Sequence, residues 1–247
     1  MIPVGDDLPT FRIPVMTYGL IAVNVAVWIL VQGAGVDPQT LAKTVCNLGM
    51  IPGELTHRAP IGQAIPIGAG LMCAVDNDAI NVITPLLSMF LHGSWMHLIG
   101  NMIYLAVFGR NVEDSMGRFR FLSFYLLGGL VAAATHIAFN SASPVPTVGA
   151  SGAISGVLGG FLMLYPTVPV RIWFVIFIVR VRAWLVLIYW FVLQALGGLS
   201  ELNQLHPDVS GGTAVWAHVG GFIAGAVLIR FFADRDVVTA RLHGSMA

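Results

Sequence analysis

An all-α bundle of six membrane-crossing helices is the fold this sequence predicts, and three observations predict it. The chain of 247 residues is 57% hydrophobic and only 10% charged, with a mean hydropathy of +0.83. That profile belongs to a polytopic membrane protein, not to a water-soluble domain. Six apolar stretches are long enough to cross a bilayer. The basic residues fall almost entirely on one side of the topology those stretches define.

The first span covers about 13–31 without a charged residue, close to the ~20 residues a crossing helix needs. Residues 1–12 hold Asp6, Asp7 and a single Arg12, and lack the basic start and small-residue cleavage site of a signal peptide. They read as a short cytoplasmic N-terminus ahead of a retained signal-anchor helix. A long outer connection follows over 33–83, rich in Gly and Pro and carrying both cysteines, Cys46 and Cys73. A structureless loop of that length is unusual, so short interfacial elements are expected there. The remaining spans are read at 84–108, 121–139, 151–165, 183–199 and 214–232. Between the fourth and fifth, residues 172–179 are very apolar but too short to cross, and Arg171, Arg180 and Arg182 bracket them. They fit an interfacial segment or a re-entrant hairpin. The membrane domain is thus 13–233, with 234–247 as a cytoplasmic tail.

Charge sets the orientation. With the N-terminus inside, the inner side receives Arg12, Arg110, Arg118, Arg120, Arg171, Arg180, Arg182, Arg230, Arg235 and Arg241, against only Lys43 and Arg58 outside. Both termini are therefore expected in the cytoplasm, in a cell or inner membrane. Ser143 and Ser210 then face outward and Ala240 inward. Cys46 and Cys73 fall outside, where a disulfide is permitted, though two cysteines in a long loop do not decide it. The net charge of zero and the lack of a basic cluster give no sign of a nucleic-acid partner.

Polar residues inside the spans are few. Gly149-Ala150-Ser151-Gly152-Ala153-Ile154-Ser155-Gly156 follows a Pro-rich turn and opens the fourth span. Its serine stands beside the free N–H groups and positive dipole end of a helix, where an oxyanion could be held. The flanking Gly149 and Gly152 let backbone or substrate come close. The structural alternative is a packing seam of Gly152, Gly156 and Gly160 with Ser151 as its cap. A short fourth span sets Ser151 several ångströms below the outer surface, a depth where a polar turn needs protein or a water-filled cavity around it. His97 and Asn101 of the second span are spaced i,i+4, which stacks them on one helix face. His218 opens the sixth span, and His92 and His136 are placed near the outer interface, in solvated roles. The i,i+5 spacing of His92 and His97, with no carboxylate in any span, disfavours a metal site. On this topology Ser151, His218, His97 and Asn101 converge at one level, as nucleophile, general base and two oxyanion donors. With no Asp or Glu in the spans, the pair is a dyad rather than a triad.

At these residues the chain resembles the rhomboid family of intramembrane serine proteases. The likeness rests on His92-Gly-Ser-Trp-Met-His97-Leu-Ile-Gly-Asn101, on Gly149-Ala150-Ser151-Gly152 and on Ala217-His218-Val219-Gly220-Gly221, on the second, fourth and sixth spans in that order. It implies Ser151 as nucleophile, His218 as base, and His97 and Asn101 at the oxyanion. It implies no metal, nucleotide or other cofactor, and as partners a lipid bilayer and transmembrane protein substrates. It further implies that Glu113 bonds backbone near the inner end of the second span. Two positions depart from the family pattern. A Trp-Arg pair common in the first loop is replaced by Asn81-Val82-Ile83-Thr84-Pro85, and a Tyr four residues after the nucleophile by Ser155. The imidazole must then be oriented by another group. An inactive relative that binds transmembrane helices, and a small channel, are the rival functions. The intact Ser151, His218 and Asn101 speak against the first, and the lack of inverted-repeat halves against the second.

Overall fold

A computed structural model describes residues 2–68, 70–174, 176–203 and 214–244; Ser210 lies outside the described residues. Strand β1 (Ile2–Asp6) precedes helix α1 (Val15–Leu30), and the first connection holds α2 (Pro38–Leu48) and the hairpin β2 (Ala64–Gly68)–β3 (Leu71–Ala74). Short helical turns over Ala79–Phe90 lead into α3 (Trp95–Met116). Then come α4 (Arg118–Phe139), α5 (Ser151–Leu164), the hairpin β4 (Pro169–Phe174)–β5 (Phe177–Arg182), α6 (Ala183–Asn203), α7 (Val215–Phe232) and α8 (Arg235–Gly244).

Helices dominate, but the all-α expectation needs correcting for two small sheets. The apolar segment at 172–179 is a β-hairpin, and β1 adds to its first strand in the antiparallel order β1-β4-β5. Five residues containing one Pro and one Gly carry too little periodicity to announce a strand. By length and composition α4 and α7 can each cross a membrane, and Ala79–Phe90 with Trp95–Met116 meets that test jointly. The helices Val15–Leu30 and Ser151–Leu164 and the stretch Ala183–Leu199 are apolar but shorter.

The second apolar stretch is not one straight helix. It bends by 72° at residues 91–94, and α3 starts afresh where Ser94 Oγ accepts the His97 N–H at 3.1 Å. Such a break leaves backbone groups without helical partners. Gln32, just beyond α1, fills the gap. Its Nε2 donates to the His92 carbonyl at 2.6 Å and its Oε1 accepts the His92 N–H at 2.9 Å. As a result His97 lies in the first turn of α3.

Helix α5 is the centre of the bundle, buried without interruption from Gly152 to Phe161. It meets α7 backbone to backbone. A Cβ on Gly225 would run into the Gly156 carbonyl, one on Gly221 into the Gly152 carbonyl, and one on Gly159 into the Phe222 carbonyl. Lipid is as apolar as any side chain, so contact this close supplies the packing attraction that water would otherwise force. Gly152 also abuts α4, where its Cβ would lie 2.8 Å from that of Ala132.

The Arg-rich end is closed by both chain termini. Glu113 accepts the N–H groups of Met16 (2.9 Å) and Thr17 (2.7 Å) and the Thr17 hydroxyl (2.7 Å), so it caps α1 from another helix. Within the stretch read as a tail, Arg235–Gly244 form α8, whose Arg241 is fully buried. Its guanidinium donates to the Asn111 carbonyl (2.7 Å), Asn111 Oδ1 (2.6 Å), Tyr165 Oη (2.9 Å) and the Pro9 carbonyl (3.0 Å). It also sits 3.3 Å from the equally buried Asp114. At the opposite end Cys46 and Cys73 form a disulfide between α2 and β3. The loop they staple docks on the segment before α5 through Met50–Thr147 pairing and a 2.9 Å bond from the Gly53 N–H to the Ser143 carbonyl.

Removing one partner of a buried ion pair strands the other. Arg241→Ala is expected to destabilise the fold by roughly 3–5 kcal/mol, read as a lower unfolding midpoint in detergent titration. An unchanged midpoint would show that α8 is not part of the folding unit.

Candidate active site

The turn before α5 is held from three sides. The Gly149 N–H donates to the Ser88 carbonyl at 2.9 Å, Thr147 pairs with Met50, and Thr147 Oγ1 lies 3.0 Å from His136 Nε2. Gly149 itself has φ +131°, a conformation that side-chain-bearing residues rarely adopt. A Cβ there would lie 2.8 Å from His97 Cε1 and Nε2, so the edge of that ring rests on the glycine. The chain then enters α5 at Ser151, where the first N–H groups of the helix have no intrahelical partner.

Across the glycine seam, His218 stands in the first turn of α7. Its Nε2 is 2.7 Å from Ser151 Oγ, and its Nδ1 is 2.9 Å from Gln194 Oε1 on α6. The Trp190 ring lies 5.8 Å away, centroid to centroid. His218 is only 6% exposed. Asn101, one turn along α3 from His97, is also buried, and its side-chain nitrogen has no hydrogen-bond partner among the described residues. A cavity of about 30 Å³ opens beside Ser151, lined by Ser88, Thr147, Gly149 and Ala217 among others, room for a water molecule.

Ser151 and His218 are therefore in direct contact, and His97 joins them through Gly149. Asn101 lies on the same helix as His97 with its amide unspent. Gly152 does two things at once: its Cα packs against Ala132, and its N–H belongs to the free first turn of α5. Ser155 turns away from the imidazole, donating to the Ser151 carbonyl at 2.6 Å. Two histidines differ from expectation. His92 is fully buried beneath His97, with ring centroids 5.1 Å apart, because the chain break folds it inward. His136 is half-buried and positions Thr147. The Glu113 contacts with backbone are those the family resemblance implied.

Sequence reasoning missed Gln32 and Gln194. Each had a signal, a lone amide at the end of or within an apolar span, since such groups in a membrane are expected to find a partner. What the signal lacked was the identity of that partner.

Comparison with known proteins bears on the same region. A family model described as Rhomboid domain matches residues 78–235. RHOMBOID-like protein 5 of Arabidopsis thaliana is 32% identical over 141 residues, 57% of this chain and 40% of the relative. Presenilin-associated rhomboid-like protein A, mitochondrial, of Danio rerio is 35% identical over 82 residues, 32% of this chain and 21% of the relative. Rhomboid protease GluP of Bacillus subtilis is 40% identical over 81 residues, 33% of this chain and 15% of the relative. In each case the match spans less than half the relative's length.

Gly149→Ala tests the local geometry. The added Cβ meets His97 and an unfavourable φ together, a strain of about 1–3 kcal/mol. Reaction of Ser151 with a fluorophosphonate is expected to slow by roughly a hundredfold, the effect of displacing a reacting group by an ångström. An unaltered rate would mean that the glycine and the His97 ring do not set the serine's position.

Proposed function

The chain belongs to the rhomboid family, and from that premise we propose that it is an intramembrane serine endopeptidase that cleaves transmembrane protein substrates with a Ser151–His218 dyad. The observation that carries this is the 2.7 Å contact between Ser151 Oγ and His218 Nε2. A hydroxyl is a weak nucleophile until a base takes its proton, and an imidazole nitrogen at this distance can do so. Ser151 Oγ attacks the scissile carbonyl as its proton passes to Nε2. The carbonyl oxygen becomes an oxyanion, received by the free N–H groups at the start of α5, the unspent amide of Asn101 and His97. The imidazolium then protonates the leaving amine as the C–N bond breaks. Water, activated by the same imidazole, hydrolyses the acyl-enzyme and frees Ser151.

Depth suits a substrate that lies in the bilayer. Helix α5 has 14 residues, about 21 Å at 1.5 Å per residue, against a hydrocarbon core of roughly 30 Å. With its far end at the Arg-rich face, Ser151 is recessed below the opposite surface, and the scissile bond must enter within the membrane. We take α1, the bent second segment, α4, α5, α6 and α7 as six crossings, with both termini in the cytoplasm of a cell membrane. The basic residues of the hairpin and of α8 then share one face.

Ser151→Ala and His218→Ala are each expected to abolish cleavage of a single-span reporter while leaving the unfolding midpoint nearly unchanged. Asn101→Ala should lower kcat roughly tenfold to thousandfold, as expected for one oxyanion donor among several. Retained turnover in either dyad variant sinks the assignment.

Sidedness is open to direct labelling. Ala142 and Ala240 are both exposed. A cysteine at Ala142 is expected to react with an impermeant thiol reagent added outside intact cells, and one at Ala240 only after the membrane is opened. The native cysteines are already paired and stay silent without reductant. Labelling of Ala240→Cys from outside contradicts the six-crossing topology.

A further inference from the structure

We propose that Gln194 of α6 is the positioning residue of the site, fixing the tautomer and orientation in which His218 can act as a base; this rests on the dyad proposed above. Neutral imidazole carries one proton, and the other nitrogen is its lone-pair base. To take the Ser151 proton, His218 must hold its own proton on Nδ1 and leave Nε2 bare. The other tautomer presents an N–H to the serine and is inert. Gln194 Oε1 stands 2.9 Å from Nδ1, where it accepts the Nδ1–H and so favours the productive form. The two bonds to His218, one from each ring nitrogen, also define the ring plane.

Among the described residues no other group makes this bond. Ser155 is bonded to the Ser151 carbonyl. Trp190 lies beside the ring and restricts its tilt, but an indole has no acceptor to offer Nδ1. The other histidines nearby are committed elsewhere, His97 against Gly149 and His136 at Thr147.

An amide suits this position for a physical reason. A carboxylate here would provide the same acceptor with a charge, and a charge within the hydrocarbon region costs several kcal/mol. Glutamine provides the acceptor without the charge. It also comes from a different helix than either Ser151 or His218. The site therefore needs α6 docked against α7, which Phe191 and Phe222 achieve by stacking 4.7 Å apart.

The test uses the full chain in liposomes, with a single-span reporter substrate and a fluorophosphonate probe. Gln194→Leu removes the acceptor while keeping most of the volume. The expected result is a fall in kcat of roughly tenfold to hundredfold, at or below the lower end of what general-base catalysis contributes. KM should be unchanged and fluorophosphonate labelling should slow in parallel. Gln194→Glu, which retains an oxygen at the same reach, is expected to recover much of the rate and to make it depend on pH differently from wild type. Wild-type kcat in Gln194→Leu overturns the proposal. So does a raised KM at constant kcat, which would make Gln194 a substrate contact. Equal loss in the Leu and Glu variants with a lowered unfolding midpoint also overturns it, as a packing role. Ser151→Ala runs alongside: if that variant cleaves, the dyad itself has failed, whatever Gln194 does.

Discussion

The approach of α5 to α7 is the constraint on which everything else depends. Ser151 has a short side chain and His218 a rigid one, so their contact requires the helix axes to come closer than ordinary side chains allow. Gly221 and Gly225 of α7, with Gly156 and Gly159 of α5, leave out the Cβ atoms that would otherwise stand between the two backbones at those positions. In lipid this contact is also a source of stability, because the driving force is packing and not release of water. One sequence feature thus serves both the cohesion of the bundle and the geometry of its site.

The rest of the fold supplies the surroundings of that contact. From the Ser151 end, the disulfide-stapled first loop presses Met50 against Thr147 and so fixes where α5 begins. From the side, the break before α3 delivers His97 to Gly149 and Asn101 one turn further along. At that break Gln32 satisfies both backbone groups of His92, which as buried polar groups need partners. From the third side α6 brings Gln194 to the remaining nitrogen of His218.

The Arg-rich end solves a different problem. Burying Arg241 and Asp114 together costs desolvation that their attraction does not obviously exceed. What the pair does provide is a fixed junction. Through Pro9, Asn111 and Tyr165 it ties the N-terminal segment, α3, the exit of α5 and α8 to one guanidinium. Glu113 secures the start of α1 next to it. Both chain ends, unremarkable in composition, are thereby part of the scaffold.

The sequence by itself determined the helical membrane class, most helix positions and the residues to watch. Those properties are local or one-dimensional: hydropathy over about 20 residues, spacing along a helix, and the placement of charge along the chain. Ser151, His218 and His97 drew attention because polar groups are rare in apolar spans, and Gly149 because a glycine beside that serine lets backbone or substrate come close. What the tertiary structure decided were the long-range pairings. The strand at Ile2–Asp6 exists because a hairpin more than 160 residues away offers it an edge. His92 is buried because Gln32, 60 residues earlier, holds the chain break in place. The acceptor on His218 Nδ1 is an amide on another helix, 24 residues away. A hydrogen bond depends on distance and direction in space, and neither is written in the order of the residues that make it.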